Sequence, residues 1–332
     1  MSVIAVDGMG GDAAPESAVA GALLAANEGV QIILIGNQRI LEQEINKLGD
    51  SPSSLEIVHA SDVITMEEHV GMQIRNRTES SIWTGMDLIK SKKADAFVSM
   101  GNTGAMLAAA LLHLGRLPGV ERPGLAIVLP TPGGPSLLID GGANAESRAS
   151  HLVQFADMGT VYMKMIHGFD SPKVGLLSIG EEASKGSTLI QEAYAKLEND
   201  SFINFVGNIE GRDIVTGSCQ VIVTDGFTGN NALKIMEGTV SMMFDVMRST
   251  ARKSFRSRLG GALLLPALRE VRSNLDYRRY GAAPLLGVEG AVFIGHGRGD
   301  AIAVSNAIIN AAQTDQLGIH QQVQSIISSR YT

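Results

Sequence analysis

Five glycine-rich segments each follow a short run of strand-forming residues, and each contains a polar side chain able to contact an anion. They span residues 6–12, 99–104, 140–144, 180–187 and 225–230. Glycine lets backbone N–H groups approach an oxyanion closely, and the N-terminus of a following helix adds positive potential. The residues predicted to contact phosphate or substrate are Asp7, Gly10, Gly11, Asp12, Gly101, Asn102, Thr103, Gly104, Asn144, Asp225, Gly226, Thr228 and Gly229. Together these loops predict an enzyme that handles phosphate or a similar anion.

Two further polar side chains stand out in the same segments. Lys185 is a lone cation inside a glycine loop that opens a predicted helix. An isolated lysine is usually an ordinary surface residue, but its place beside the other loops favours anion binding. Asn230 precedes a predicted helix, and it could serve as an N-cap while its amide points at a ligand. We therefore treat both as candidate catalytic residues.

Several common catalytic patterns are missing from the sequence. Gly8, Gly10 and Gly11 lack the G-x-G-x-x-G spacing of a dinucleotide site, and Lys185 precedes its glycine, unlike the lysine of a P-loop. No G-x-S-x-G nucleophile motif occurs, and the histidines and the one cysteine show no zinc-binding pattern. The pair Glu181-Glu182 could hold magnesium, although a solvated loop is the simpler interpretation. We expect neither a cofactor nor a metal ion.

Length and composition predict a cytoplasmic protein with a large core. The chain has 332 residues, 45% of them hydrophobic, which is enough for one large core or two smaller ones. The single cysteine, Cys219, rules out a disulfide framework and suits a reducing compartment. No secretory signal pattern is visible, and no apolar run approaches the roughly 20 residues that a membrane span needs.

Charge is distributed unevenly along the chain. The net charge is −7, yet residues 248–279 contain nine basic residues and only two acidic ones, Glu270 and Asp276. The basic residues are Arg248, Arg252, Lys253, Arg256, Arg258, Arg269, Arg272, Arg278 and Arg279. A locally basic surface on an acidic protein predicts a specific acidic partner. Nucleic-acid binding would require a more basic protein overall.

Short apolar runs alternate with helical stretches, which predicts a mainly parallel sheet covered by helices on both faces. The predicted strands are Val3–Asp7, Gln31–Ile35, Leu55–His59, Asp95–Ser99, Leu125–Leu129, Leu137–Asp140, Val174–Ile179, Phe202–Val206, Gln220–Thr224 and Ala291–Gly295. The predicted helices are Pro15–Glu28, Arg39–Lys47, Ser80–Lys90, Thr103–Leu114, Ser147–His167, Ser187–Glu198, Asn230–Phe255 and Asp300–Ala312. We expect a single domain over residues 1–332.

One segment departs from this alternation. Residues 230–274 have helical character and contain no predicted strand. They predict a helical hairpin that protrudes from the sheet and reaches to about residue 279. Its turn is expected near Gly260-Gly261, which would place Leu263–Pro266 beside the tip.

In combination, the motifs resemble the bacterial phosphate acyltransferase (PlsX) family of phospholipid synthesis. The resemblance runs from residue 3 to about residue 312. The matching segments are AVDGMGGD at 5–12, GNTGA at 101–105, GR at 115–116, GAN at 142–144, HLVQ at 151–154, KG at 185–186, NFVGN at 204–208 and TDGFTGN at 224–230. The resemblance implies transfer of a fatty acyl group from the thioester of acyl carrier protein to inorganic phosphate, giving acyl phosphate. It makes Lys185 and Asn230 the catalytic positions.

The same resemblance implies a three-layer α/β/α fold, similar to isocitrate and isopropylmalate dehydrogenases, and a homodimer. Acyl carrier protein is acidic, so we assign its docking to the basic side chains of the hairpin. These are Arg252, Lys253, Arg256, Arg258, Arg269 and Arg272. The leucines at 263–265 could pack at the dimer interface. Alternatively they could contact an anionic membrane at its inner face, where a membrane-bound glycerol-phosphate acyltransferase would receive the product.

Three other functions stay open at this point. A phosphotransacetylase acting on coenzyme A thioesters would use related chemistry. A metal- and NAD-dependent decarboxylating dehydrogenase of the same fold class would need an aspartate cluster and arginines that these loops do not show. A non-enzymatic scaffold would use only the basic hairpin to bind an acidic protein.

Overall fold

The computed structural model describes residues 2–49, 52–274 and 280–331, and only the backbone of Phe255 and of residues 269–274. Its strands are β1 Val3–Asp7, β2 Gln31–Gly36, β3 Leu55–His59, β4 Ala96–Ser99, β5 Gly124–Leu125, β6 Ile127–Thr131, β7 Gly134–Ile139, β8 Lys173–Leu177, β9 Asn204–Ile209, β10 Val221–Val223, β11 Ala282–Leu286 and β12 Ala291–Gly295. Its α-helices are α1 Glu16–Asn27, α2 Gln38–Leu48, α3 Ser81–Lys90, α4 Thr103–Ala109, α5 Ala149–His167, α6 Thr188–Leu197, α7 Gly226–Ala251, α8 Phe255–Asn274, α9 Ala301–Gln316 and α10 Ile319–Tyr331.

The strands form two sheets where the sequence predicted one. Sheet one has the order β3-β2-β1-β4-β12-β11-β5, and sheet two has the order β6-β7-β10-β8-β9. In both, the central strands are parallel. The predicted strand Leu125–Leu129 is divided at Ala126, because its first part pairs with β11 in sheet one and its second part with β7 in sheet two. A local sequence pattern does not record such a change of partner.

Helices cover both faces of each sheet. In sheet one, Phe97 of β4 packs towards Trp83 of α3 and Met106 of α4, and the opposite face packs against α1 and α9. In sheet two, α5, α6 and α10 cover one face, and the start of α7 covers part of the other through Ala232 and Leu233. This layering confirms the expected α/β/α class.

The helical hairpin is present, but its turn lies earlier than predicted. Helix α7 ends at Ala251 and α8 begins at Phe255, so the turn is at residues 252–254. The Ser254 hydroxyl accepts a hydrogen bond from the N–H of Ser257 (3.1 Å), as an N-cap does. The predicted turn, Gly260-Gly261, lies inside α8, because glycine weakens a helix by about 1 kcal/mol without ending it. The leucines at 263–265 therefore lie along α8 and not at the tip.

The hairpin exposes both charge and apolar surface. Arg252 and Lys253 are exposed at its turn, and Arg256 and Arg258 are exposed in the first turn of α8. Met242 is 59% exposed and Leu263 is 76% exposed. The predicted basic residues Arg278 and Arg279, with Asp276, lie outside the described residues, as do the side chains of Arg269 and Arg272. Within the described ranges, no helix is both long and apolar enough to cross a membrane.

Candidate active site

The carboxyl ends of the central strands carry the predicted glycine loops, divided between the two sheets. In sheet one, the neighbouring strands β1 and β4 lead into residues 8–12 and 100–102. In sheet two, the neighbouring strands β7, β10 and β8 lead into residues 140–148, 224–225 and 178–187. Loops at this edge of an open α/β sheet line the crevice where ligands bind. The structure thus places the predicted loops on the expected edges.

Asp7 links two loops of sheet one. Its buried carboxylate accepts hydrogen bonds from the Met9 N–H (3.1 Å) and the Ser99 hydroxyl (2.7 Å), and the Ser99 oxygen accepts the Gly101 N–H (2.9 Å). Burial raises the pKa of Asp7 above its usual value of 3.8. A Cβ at Gly10 would lie 2.4 Å from Asp7 Oδ2, so only glycine fits there. Asp7 and Gly101 therefore use their polar groups to shape the loop.

Asn102 joins helix α4 to a neighbouring segment. Its side-chain oxygen caps α4 by accepting the Ala105 N–H (3.0 Å). Its amide nitrogen lies 2.8–3.2 Å from the carbonyl oxygens of Thr65, Met66 and Glu68, its hydrogen-bond acceptors. Thr103 and Gly104, in the exposed first turn of α4, have N–H groups with no acceptor inside the helix. These two N–H groups are the donors that this loop offers to an anion.

Asp140 organises the first loop of sheet two. One oxygen of this fully buried carboxylate accepts the N–H groups of Leu125 (2.9 Å), Gly142 (3.1 Å) and Ala143 (2.9 Å). The other accepts the backbone N–H (2.8 Å) and the side-chain amide (2.9 Å) of Asn144. That amide also donates to the Pro123 carbonyl (2.7 Å). The predicted ligand residue Asn144 thus uses its amide to order the loop.

Helix α7 begins four residues earlier than predicted, which corrects the interpretation of Asn230 as an N-cap. The cap is Asp225, whose carboxylate accepts the N–H (2.9 Å) and the hydroxyl (2.7 Å) of Thr228. Gly229 allows the helix to approach the Asp140 loop, since a Cβ there would lie 2.0 Å from the Asp140 carbonyl oxygen. Asn230 is exposed in the first turns of α7, beside Gly142. Its side-chain amide has no hydrogen-bond partner among the residues that the structure describes.

Lys185 lies in the loop after β8, the strand next to β10. Its N–H donates to the carbonyl of Glu182 (2.9 Å), and the amide of Asn208 donates to the same carbonyl (2.9 Å). These contacts hold the loop while the Lys185 side chain is exposed, with no ion-pair partner in the described part of the chain. The two candidate catalytic residues therefore lie at the same edge of sheet two, one on the loop after β8 and one in the first turns of α7, and both are exposed.

A sixth glycine loop, which the sequence reasoning missed, joins the two groups of loops. Residues 296–300 follow β12, which ends at Gly295, and they contain Gly297 and Gly299. The Asp12 N–H donates to the Gly297 carbonyl (2.7 Å), and His296 Nε2 lies 3.8 Å from Glu237 Oε1 of α7. The signal was present, because alternate glycines follow a predicted strand and precede a predicted helix. The contact with Glu237 shows that a sheet-one loop reaches α7, the helix that begins at the carboxyl edge of sheet two.

No cluster of three or more histidine, cysteine, aspartate or glutamate side chains suited to a metal ion occurs among the residues that the structure describes. The loops instead offer helix-terminal N–H groups in sheet one, and a lysine and an amide at the edge of sheet two. Such donors can hold an oxyanion or stabilise one that forms during a reaction.

Comparison with known proteins agrees with this geometry. Residues 2–322 match a family model described as fatty acid synthesis protein. The phosphate acyltransferase of Thermus thermophilus is 48% identical over 326 residues, covering 98% of each chain. The chain belongs to this family. The phosphate acyltransferase of Halothermothrix orenii is 46% identical over 314 residues, covering 94% of each chain. The resemblance seen in the sequence motifs is confirmed, and the chain is a transferase.

A solved structure supports the fold. The EutD phosphotransacetylase from Staphylococcus aureus aligns with a TM-score of 0.60 at 18% sequence identity, covering 95% of this chain and 94% of that one. At this identity the likeness concerns the fold alone. It agrees with the α/β class that the alternating strands and helices predicted.

Proposed function

We propose that this chain transfers a fatty acyl group from the thioester of acyl carrier protein to inorganic phosphate, giving acyl phosphate for phospholipid synthesis and free carrier. The observation that carries the proposal is the pair Lys185 and Asn230, which are exposed at the carboxyl edge of sheet two, on the loop after β8 and in the first turns of α7. The Asp140 loop and the start of α7 beside them are ordered by carboxylates that accept their N–H groups. Membership of a phosphate acyltransferase family supports the reaction type.

The proposed reaction needs no protein nucleophile, because phosphate itself attacks. A phosphate oxygen forms a bond to the thioester carbonyl carbon, and the carbonyl oxygen becomes an oxyanion. When this intermediate collapses, the C–S bond breaks and the carrier thiolate leaves with the electron pair. Lys185 and the N–H groups of Thr103 and Gly104 hold the phosphate, and the Asn230 amide donates to the oxyanion. The protein's contribution is position and charge.

Mass spectrometry of the products tests this function. Acyl carrier protein loaded with a fatty acid is incubated with and without phosphate, and with and without the enzyme. We expect acyl phosphate and free carrier only when both phosphate and enzyme are present. Acyl-coenzyme A replaces the carrier in a parallel reaction. Turnover of acyl-coenzyme A without turnover of the carrier thioester would support a phosphotransacetylase instead. If neither thioester is consumed, both functions are refuted.

The basic hairpin is the proposed docking surface for the carrier. Arg252, Lys253, Arg256 and Arg258 are exposed together at the turn, with Arg269 and Arg272 following along α8. Opposite charges at such a surface raise the association rate, and salt reduces the effect. Arg256→Glu with Arg258→Glu should raise the KM for the carrier several-fold and leave kcat nearly unchanged. Lys92→Glu with Lys93→Glu, at an exposed turn before β4, is the matched control. Unchanged carrier kinetics in the hairpin variant would exclude this surface.

We further propose that the chain acts as a homodimer in the cytoplasm and that the exposed leucines of α8 touch an anionic membrane surface, where a membrane-bound glycerol-phosphate acyltransferase would take the product. Leu264 and Leu265 are 57% and 45% exposed, and basic residues lie one to three turns away. Leu264→Ser with Leu265→Ser should reduce co-sedimentation with anionic vesicles. If the double variant instead becomes monomeric, the leucines belong to the dimer interface.

A further inference from the structure

Helix α7 continues the row of polar side chains that begins at Asn230. Asn230, Lys234 and Glu237 follow at spacings of four and three residues, which puts them on one side of the helix. Leu233 and Met236 lie on a different side and pack against sheet two. The polar row therefore lies on a side of the helix next to the one that packs against sheet two.

One contact shows what this row faces. Glu237 Oε1 lies 3.8 Å from His296 Nε2, in the loop that follows β12 of sheet one. The same loop accepts the Asp12 N–H through the Gly297 carbonyl (2.7 Å). Because Glu237 reaches a sheet-one loop and Asn230 lies beside Gly142 of a sheet-two loop, the stretch of α7 between them runs from one sheet's loops to the other's.

Lys234 occupies the middle of this row. It lies one turn after Asn230 and one turn before Glu237, and it is exposed, with no ion pair among the described residues. Its long flexible stem can carry the ammonium along the helix surface towards Asn230. Lys234 is therefore a second exposed lysine close to Asn230 along the chain, on a different element from Lys185.

We propose that Lys234 is a second phosphate-binding cation of this site. The inference rests on the proposed function and adds a residue to it. A phosphate dianion carries two negative charges, and Lys185 balances one of them. Lys234 balances the other from the α7 side of the cleft, next to the amide that donates to the oxyanion. Since this interaction is already made when phosphate binds, its removal should weaken phosphate binding more than it slows the chemical step.

The test compares Lys234→Gln and Lys234→Arg with the wild type. We expect Lys234→Gln to raise the KM for phosphate and the Kd for phosphate, measured by calorimetry without carrier, at least about tenfold, the scale of one lost charged hydrogen bond. The KM for the carrier should stay within about twofold. Lys234→Arg should recover most of the phosphate affinity. Lys196→Gln, which removes an exposed lysine from the last turn of α6, is the matched control and should match the wild type.

Two outcomes would overturn the inference. Unchanged phosphate affinity in Lys234→Gln would remove Lys234 from the site. A raised KM for the carrier with unchanged phosphate affinity would assign Lys234 to carrier docking. The calorimetric measurement of phosphate binding tests the role of Lys234 independently of the proposed reaction. If the wild type binds phosphate without forming acyl phosphate, and Lys234→Gln weakens that binding, then the site is supported while the proposed function fails.

Discussion

Both sheets order their carboxyl-edge loops with a buried aspartate where a strand ends, but the two aspartates have different hydrogen-bond partners. Asp7 in sheet one accepts hydrogen bonds from the hydroxyls of Ser99 and Ser81 and from backbone N–H groups. Asp140 in sheet two accepts five N–H donors, four from the backbone and one from the Asn144 amide. A hydroxyl can reverse its role in a hydrogen bond, whereas an N–H group cannot. The Asp140 loop is therefore the more rigidly specified of the two.

The comparison also shows what glycine loops leave available for a ligand. In the Asp140 loop, the N–H groups of Gly142, Ala143 and Asn144 are bound to the protein's own carboxylate. A glycine-rich loop thus does not by itself provide an anion site. Lys185 and Asn230 are among the side chains that remain exposed at this edge. Anion binding there should depend on these two residues, and loop order should depend on Asp140.

The largest expected effect is that of Asp140→Asn. An asparagine amide would face N–H donors that cannot accept a hydrogen bond, and leaving buried donors without acceptors costs about 1–3 kcal/mol each. We expect the free energy of unfolding to fall by roughly 3 kcal/mol or more, measured by urea denaturation. Asp170→Asn, at an exposed loop residue, is the control and should leave stability unchanged. A loss below about 1 kcal/mol for Asp140→Asn would mean that the loop is not specified by this carboxylate.

Lys185→Ala should show the opposite pattern, with activity lost and stability kept. The side chain is exposed and makes no ion pair within the described residues, so the melting temperature should not change. Turnover should fall by about 10²-fold, as for the loss of one donor to a transition state. Lys173→Ala, at the other end of β8, is the matched control. Activity within about threefold of the wild type would remove Lys185 from the mechanism.

Asn230→Asp should reduce turnover by about tenfold or more, because it replaces an amide donor with an anion beside the bound phosphate. Stability should hold, since acidic residues near a helix N-terminus are favourable. Asn231→Asp provides a close control, because Asn231 is also exposed but its amide donates to the Phe227 carbonyl (2.8 Å). If both variants lose activity equally, added charge explains the loss and the Asn230 amide has no special role.

Asp7→Asn should have the smallest effect, about 1 kcal/mol of unfolding free energy at neutral pH, because the serine hydroxyls can reverse. Burial raises the pKa of Asp7 in the folded protein. The Asp7 carboxyl therefore keeps its proton to a higher pH when folded than in the unfolded chain, where its pKa is near 3.8. Wild-type stability should therefore decline as pH rises from about 3.8 through the folded pKa, and the variant should lack this decline. Melting curves between pH 4 and pH 7 measure it. A wild-type advantage that grows with pH would contradict the raised pKa.

Much of the site's framework could be predicted from local patterns. The strands Val3–Asp7, Leu55–His59 and Ala291–Gly295 have the predicted bounds. The glycine loops follow strands as expected, because apolar runs and glycine turns are local signals. The strand Ala282–Leu286 was missed because Pro284 argues against a strand, and it was tolerated because β11 pairs antiparallel near the edge of its sheet.

The sequence alone determined the α/β class, the family resemblance, the loop positions and the two candidate residues Lys185 and Asn230. These depend on residue type and spacing over short distances. Tertiary structure decided that the strands form two sheets, that α7 begins at Gly226, and that Asp7 and Asp140 accept hydrogen bonds from N–H groups of their own loops. It also placed His296 beside Glu237, 59 positions apart in the chain. Such pairings depend on which segments meet after folding, because a hydrogen bond joins atoms that are close in space and a sequence pattern records only neighbours along the chain.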